Sequence, residues 1–169
     1  DADRGYWIME GYGYPNTLVR VDMDTHAIDS FPLNCGYGIT VDSDGYVWTG
    51  GKAIYQDGIS CVAKYDPINN DFDEVEVSDA PWLRGIAAGI EASEGYVWAA
   101  ETTGVLYKID QDSVTLMDSF DFPSSEMVGV AIDFEGNIWT VGRDTNATYK
   151  FDPSDETIVT VPVGEAPYT

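Results

Sequence analysis

The feature that most constrains this chain is an internal repeat. The stretch Gly129-Val-Ala-Ile-Asp-Phe-Glu-Gly-Asn-Ile-Trp139-Thr140 has an edited copy upstream, Gly38-Ile-Thr-Val-Asp-Ser-Asp-Gly-Tyr-Val-Trp48-Thr49. A third copy ends in Ser93-Glu-Gly-Tyr-Val-Trp98-Ala99, and a shortened fourth opens the chain at Asp1-Ala-Asp-Arg-Gly5-Tyr-Trp7-Ile8. Trp7, Trp48, Trp98 and Trp139 are thus spaced by 41, 50 and 41 residues, the period of stacked supersecondary units.

Each tryptophan is followed by a variable loop and then by a short strand ending in a basic residue, an apolar residue and Asp. The four instances are Arg20-Val21-Asp22, Lys64-Tyr65-Asp66, Lys108-Ile109-Asp110 and Lys150-Phe151-Asp152. A polar turn comes next, as in Asp66-Pro-Ile-Asn-Asn70, and then a further β-rich run such as Phe72-Asp-Glu-Val-Glu-Val77 or Thr157-Ile-Val-Thr-Val161. Each unit therefore offers four short strands, A to D, separated by Gly, Asp, Asn and Pro turns. Strand A, as in Gly129-Val-Ala-Ile132, is apolar at nearly every position, and strand B carries bulk on both sides of its tryptophan. Sheets covered on both faces need a similar sheet in front and behind, and radial stacking supplies it. The expected architecture is all-β, a β-propeller of about four four-stranded blades in an incomplete ring.

Expected blade units are approximately 1–31, 35–77, 83–117 and 128–161, with 162–169 leading into a further blade. The stretch Gly85-Ile-Ala-Ala-Gly-Ile-Glu-Ala-Ser-Glu94 has a helical flavour, but its two glycines and the repeat register favour a strand with a short insertion. Either Gly85 or Gly89 could belong to strand A of that unit.

The Gly-Ile/Val-x-x-Asp-x-x-Gly-x-Val/Ile-Trp-Thr pattern with its following Lys/Arg-apolar-Asp resembles the repeat of virginiamycin B lyase-like propellers. It is also similar to NHL and gluconolactonase-like (SMP-30) propellers. The resemblance covers the whole chain and implies fold more sharply than activity, because propellers host many functions. It implies a ring of about seven blades. Four units then leave three arrangements open: part of a larger ring, a chain that closes on another copy of itself, or a small ring of its own. The lyase resemblance also calls for a histidine and a glutamate on the binding rim. The sole histidine, His26, falls in a C-to-D turn on the opposite rim, so lyase activity by this chain alone is not expected.

Thirty acidic against eight basic side chains give a formal net charge of −22, which repels nucleic acid phosphates and anionic headgroups. No apolar run approaches the eighteen or so residues of a membrane span, so neither nucleic acid nor membrane insertion is expected. No signal peptide is present, but a mature secreted chain would have lost one.

In a propeller the D-to-A and B-to-C connections share one rim. That rim would hold Glu10, Tyr12, Tyr14, Asn34, Tyr37, Lys52, Gln56, Asp57, Trp82, Arg84, Glu101, Glu126, Arg143, Asp144 and Asn146. The ligand-binding candidates among them are Tyr12, Tyr37, Trp82, Arg84, Glu101, Arg143 and Asp144. Trp82 stands outside the repeated tryptophan column, and an aromatic beside a guanidinium suits a glycan or a protein hot spot, or else a loop anchor over the core.

Cys35 and Cys61 fall on the same rim. A bridge across their 26-residue separation would imply an oxidising compartment, the alternative being two buried thiols. The acidic turns Asp42-Ser-Asp44-Gly45, Asp22-Met-Asp24 and Asp1-Ala-Asp3 resemble fragments of calcium loops, but none continues to a distal glutamate. Turn formation by Asp-Gly explains Asp42 and Asp44 without a metal, and no cofactor is expected. No nucleophile elbow, phosphate loop or dinucleotide fingerprint occurs. The sequon Asn146-Ala-Thr148 fits glycosylation only in a eukaryotic secretory setting.

The expected function is a secreted, periplasmic or cell-surface module that binds a protein or glycan through one rim. The rival expectation is a lyase-like or lactonase-like enzyme completed by residues elsewhere, with Glu10, Glu101 and Asp144 contributing. A third is a purely architectural element.

Overall fold

The computed structural model describes residues 5–10, 16–52, 58–165 and 167. Four antiparallel meanders follow one another along the chain. The first contains β1 (Gly5–Glu10), β2 (Asn16–Asp22) and β3 (Ile28–Leu33). The second contains β4 (Gly38–Val41), β5 (Val47–Lys52), β6 (Ser60–Asp66) and β7 (Asp71–Val77). The third contains β8 (Leu83–Ala88), β9 (Tyr96–Glu101), β10 (Val105–Asp110) and β11 (Thr115–Asp121). The fourth contains β12 (Met127–Ile132), β13 (Ile138–Gly142), β14 (Ala147–Asp152) and β15 (Thr157–Pro162). The sheets are blades of a β-propeller, and the ring they trace is not closed.

The core lies between the sheets rather than inside any of them. Period-2 alternation sends Trp48 forward, into a cluster with Leu83, Ile86, Val97 and Ile109 of the third sheet. Trp98 does the same one blade on, meeting Met127, Ile138, Tyr149 and Phe151 of the fourth. Trp7 packs with Leu18 and Phe31 against Val47 and Tyr65 of the second. Both Trp48 and Trp98 are wholly buried. Burying about 150 to 250 Å² per indole yields roughly 4 to 6 kcal/mol gross at each such interface, which is why the tryptophan column recurs.

The remaining motif residues serve the same stacking. In the A-to-B turn, Asp42 Oδ1 accepts the N–H of Asp44 and of Tyr46, while Oδ2 accepts Trp48 Nε1 at 2.7 Å. Asp133 repeats this with Glu135, Asn137 and Trp139, the last at 2.8 Å. One carboxylate thereby closes a turn and satisfies an indole N–H six residues on. In the third unit Ala92 occupies the corresponding place, inside a one-turn 3₁₀ insertion at Glu91–Ser93. Trp98 Nε1 is accordingly buried without a hydrogen-bond partner.

The basic residue of strand C lies over its own blade's aromatics. Lys64 Nζ sits 4.0 Å from the Tyr46 ring and 5.3 Å from that of Trp48, and donates to Gln111 O of the next blade at 2.7 Å. Lys108 stands likewise over Tyr96 and Trp98, and Arg20 over Trp7. The Asp that follows accepts backbone N–H groups two and three residues ahead at Asp22, Asp66 and Asp110. Four residues after Asp22, Asp66, Asp110 and Asp152 the backbone is left-handed, at His26, Asn70, Val114 and Glu156.

The motif glycine permits blades to meet backbone to backbone at the hub. A Cβ on Gly85 would fall 2.5 Å from the carbonyl carbon of Gly129, and one on Gly38 would fall 3.0 Å from Ile86 Cγ2. Gly85 therefore belongs to strand A of the third unit, and Gly89 lies beyond its end.

Candidate functional site

The connections expected to share a rim are joined there by hydrogen bonds. Trp82 O accepts Thr102 N at 3.0 Å, Glu126 O accepts Arg143 N at 3.0 Å, and Asn34 O accepts Asn16 Nδ2 at 2.9 Å. Each bond links a D-to-A connection to the end of strand B or the start of strand C in an adjoining hairpin.

Three rim residues converge. Tyr37 immediately precedes Gly38 and Arg84 immediately precedes Gly85, so both occupy the same place in successive blades at the mouth of the hub. Trp82, two residues before Arg84, meets Tyr37 edge-on with ring centroids 5.4 Å apart and planes at 80°. The Arg84 guanidinium carbon lies 4.7 Å from the Trp82 ring centre. All three side chains are half-buried. Arg84 Nε is enclosed and makes no hydrogen bond, and among the described residues no carboxylate stands at ion-pair distance from this guanidinium. Stacking on the indole face fixes the plane of the guanidinium.

The other candidates are engaged within the protein. Glu101 is wholly buried at a position where the second and fourth blades carry Gly51 and Gly142. Its carboxylate accepts the backbone N–H of Thr103 and, at 2.8 Å, the Thr103 hydroxyl. Burial raises the Tyr107 phenol above its ordinary range, and the Glu101 charge adds to that shift. Asp144 accepts Ser124 Oγ at 2.6 Å, Ser125 N at 2.8 Å and Ser125 Oγ at 2.7 Å. The Ser124 hydroxyl is the largest influence holding Asp144 down to about 2. Arg143 pairs with Glu126 at 2.5 Å. Tyr12, Tyr14, Gln56 and Asp57 lie outside the described residues, as do Asp1 and Asp3.

Cys35 and Cys61 form a disulfide with Cα atoms 5.5 Å apart, both cysteines being buried. It ties the first-to-second blade connection to β6, and Cys35 O also accepts Thr49 Oγ1 at 2.8 Å. Asp42 spends its oxygens on the turn and on Trp48, and Asp44 is exposed beside it. Among the described residues no three acidic, histidine or cysteine side chains converge as a metal cage. His26 is exposed in its C-to-D turn with φ of 60°.

Ser124, Ser125 and Thr103 were not singled out in the sequence, although each decides what a neighbouring carboxylate can do. Thr103 stands two residues from Glu101, whereas Ser124 and Ser125 lie 20 and 19 residues from Asp144 and carry no local signal.

No family model matches the sequence, and no curated protein does. Among solved structures the chain is similar to virginiamycin B lyase from Staphylococcus aureus, with a TM-score of 0.74 and 19% identity over 91% of this chain and 52% of that one. A streptogramin B lyase gives a TM-score of 0.77 and 16% identity over 98% of this chain and 58% of that one. The extracellular domain of the one component system BT4673 from B. thetaiotaomicron gives 0.67 and 17% over 95% of this chain and 24% of that one. These likenesses establish the propeller fold. The chain spans between half and three-fifths of the length of the two lyases it matches.

Proposed function

We propose that this chain is part of a secreted or cell-surface propeller that recognises a protein or glycan through the rim at Tyr37, Trp82 and Arg84. The observation that carries this reading is the convergence, outside the core clusters, of two half-buried aromatics and a guanidinium that pairs with no carboxylate among the described residues. The buried disulfide and the likeness to an extracellular domain support the compartment.

A share in a lyase-like or lactonase-like site is the less supported reading, because Glu101 and Asp144 already spend their oxygens on Thr103, Ser124 and Ser125. We further take the exposed Tyr6 and Ile8 of β1 as a blade face to be covered by further blades of the same protein or by a second copy. The mass of the native particle separates those two.

The test of the rim is binding of the full chain to panels of glycans and of secreted proteins, with Trp82→Ala and Tyr37→Ala variants alongside. Loss of binding at unchanged melting temperature supports the reading, and equal binding by all three proteins refutes the location.

A further inference from the structure

The rim cluster holds a cation with no carboxylate partner among the described residues. The chain has thirty acidic side chains, and Arg143 and Lys150 have each found one. Among the described residues Arg84 has not, and its enclosed Nε has no hydrogen-bond partner. Arg84 is only half-buried, so the part of its guanidinium beyond the enclosed Nε is open to an acceptor that arrives from outside.

Resting on the binding reading above, we propose that Arg84 is the anchor for the carboxylate of a uronate-bearing glycan, with Trp82 and Tyr37 as the walls of its sugar subsite. The guanidinium presents a planar fork of donors that matches a carboxylate through two parallel hydrogen bonds. Trp82 fixes the plane of that fork by stacking at 4.7 Å, and its own backbone is held through Thr102 N. Arg84 O lies 3.5 Å from where a Gly38 Cβ would stand, so the strand carrying the guanidinium is wedged between two blades. Little ordering remains to be done when the ligand binds.

The chemistry of the walls favours a sugar over a peptide. Peptides are taken up by sheets largely through free main-chain groups. At this rim the carbonyls of Trp82 and Glu126 are already bonded to Thr102 and Arg143. Recognition is left to side chains, and aromatic rings set at right angles offer apolar faces to the C–H side of a pyranose. The protein's charge of −22 adds a second selection, because it repels densely charged chains and tolerates a ligand with isolated carboxylates.

The experiment is calorimetric titration of the full chain with an aldotetraouronic acid, three neutral xylose units carrying one glucuronate, and with its methyl ester. The acid is expected to bind at least tenfold more tightly than the ester. Arg84→Gln should weaken acid binding about 10- to 100-fold and remove the difference between acid and ester. Arg84→Lys, which keeps the charge but not the fork, should restore part of it. Trp82→Ala should abolish binding of both. If Trp82→Ala abolishes binding and Arg84→Gln does not, the carboxylate anchor is wrong while the rim site stands. If neither substitution matters, the rim reading fails with it. If neither uronide binds, or an aspartate-rich peptide binds in their place and depends on Arg84, the glycan assignment is overturned.

Discussion

The bond between Asp42 and Trp48 allows a quantitative test of how the repeat works. Replacing Asp42 by Ala removes the acceptor of two turn N–H groups and of the indole N–H of a wholly buried tryptophan. The turn donors are near solvent and recover most of their loss from water. Trp48 Nε1 has no such recourse, and an orphaned buried donor costs about 1 to 3 kcal/mol. With about 0.5 to 1 kcal/mol for the lost turn cap, Asp42→Ala should destabilise the protein by roughly 2 to 3 kcal/mol. For a domain of this length that corresponds to a fall in Tm of about 5 to 10 °C.

Urea denaturation followed by tryptophan fluorescence measures the free energy, and a double-mutant cycle with Trp48→Phe isolates the indole. Phenylalanine has no N–H to orphan, so Asp42→Ala should cost about 1 to 2 kcal/mol less in that background. The third blade supplies an internal control, because Trp98 Nε1 already lacks a partner. Trp98→Phe should therefore lose only packing. If Asp42→Ala lies within about 0.5 kcal/mol of the parent, or the cycle shows no coupling, the account of the motif is wrong.

Further expectations follow from the same contacts. Asp133 is held down to about 2, chiefly by the indole N–H of Trp139. Its folded pKa lies below its unfolded value, so its stabilisation is present above pH 4 and lost as pH falls through 2; Asp133→Asn should flatten that part of a stability-against-pH profile. Replacing Cys35 and Cys61 by Ser should cost about 3 to 4 kcal/mol by the chain-entropy model, read by denaturation under non-reducing conditions. Gly85→Ala would press a methyl onto the Gly129 backbone and should cost at least about 1 to 3 kcal/mol, with melting temperature as the readout. Val114, a β-branched residue at φ of 49°, sits in strain, and Val114→Asn should relieve backbone energy while giving up some packing, leaving stability within about 1 kcal/mol of the parent.

What could be read in the sequence was whatever repeated. Four strands per unit, the shared rim and the nearness of Cys35 to Cys61 all follow once Trp48 is aligned with Trp139. The pairing of Asp42 with its tryptophan was also written there, as a carboxylate six residues upstream in three units and Ala92 in the remaining one, but only coordinates reveal that the spacing delivers an indole bond. The meeting of Tyr37 with Trp82 was concealed by a sequence separation of 45 residues. Neighbouring blades bring their D-to-A connections together, and loop conformation decides which side chains then touch. Glu101 and Asp144 were equally opaque, since exposed rim carboxylates and carboxylates consumed by a nearby Thr or Ser have the same letters. Choosing between Gly85 and Gly89 failed for a local reason: the inserted turn at Glu91–Ser93 shifts the glycine spacing that identified strand A elsewhere.

The glycine contacts at the hub carry a consequence for how such a protein can vary. Because Gly85 meets the Gly129 backbone with no side chain between them, the wedge angle from one blade to the next is dictated by main-chain thickness. Substitutions at the outer loops can then proceed without altering curvature or bore. A lineage built on this plan can vary its rim side chains freely, yet cannot add a single methyl group at the axle without respacing neighbouring blades.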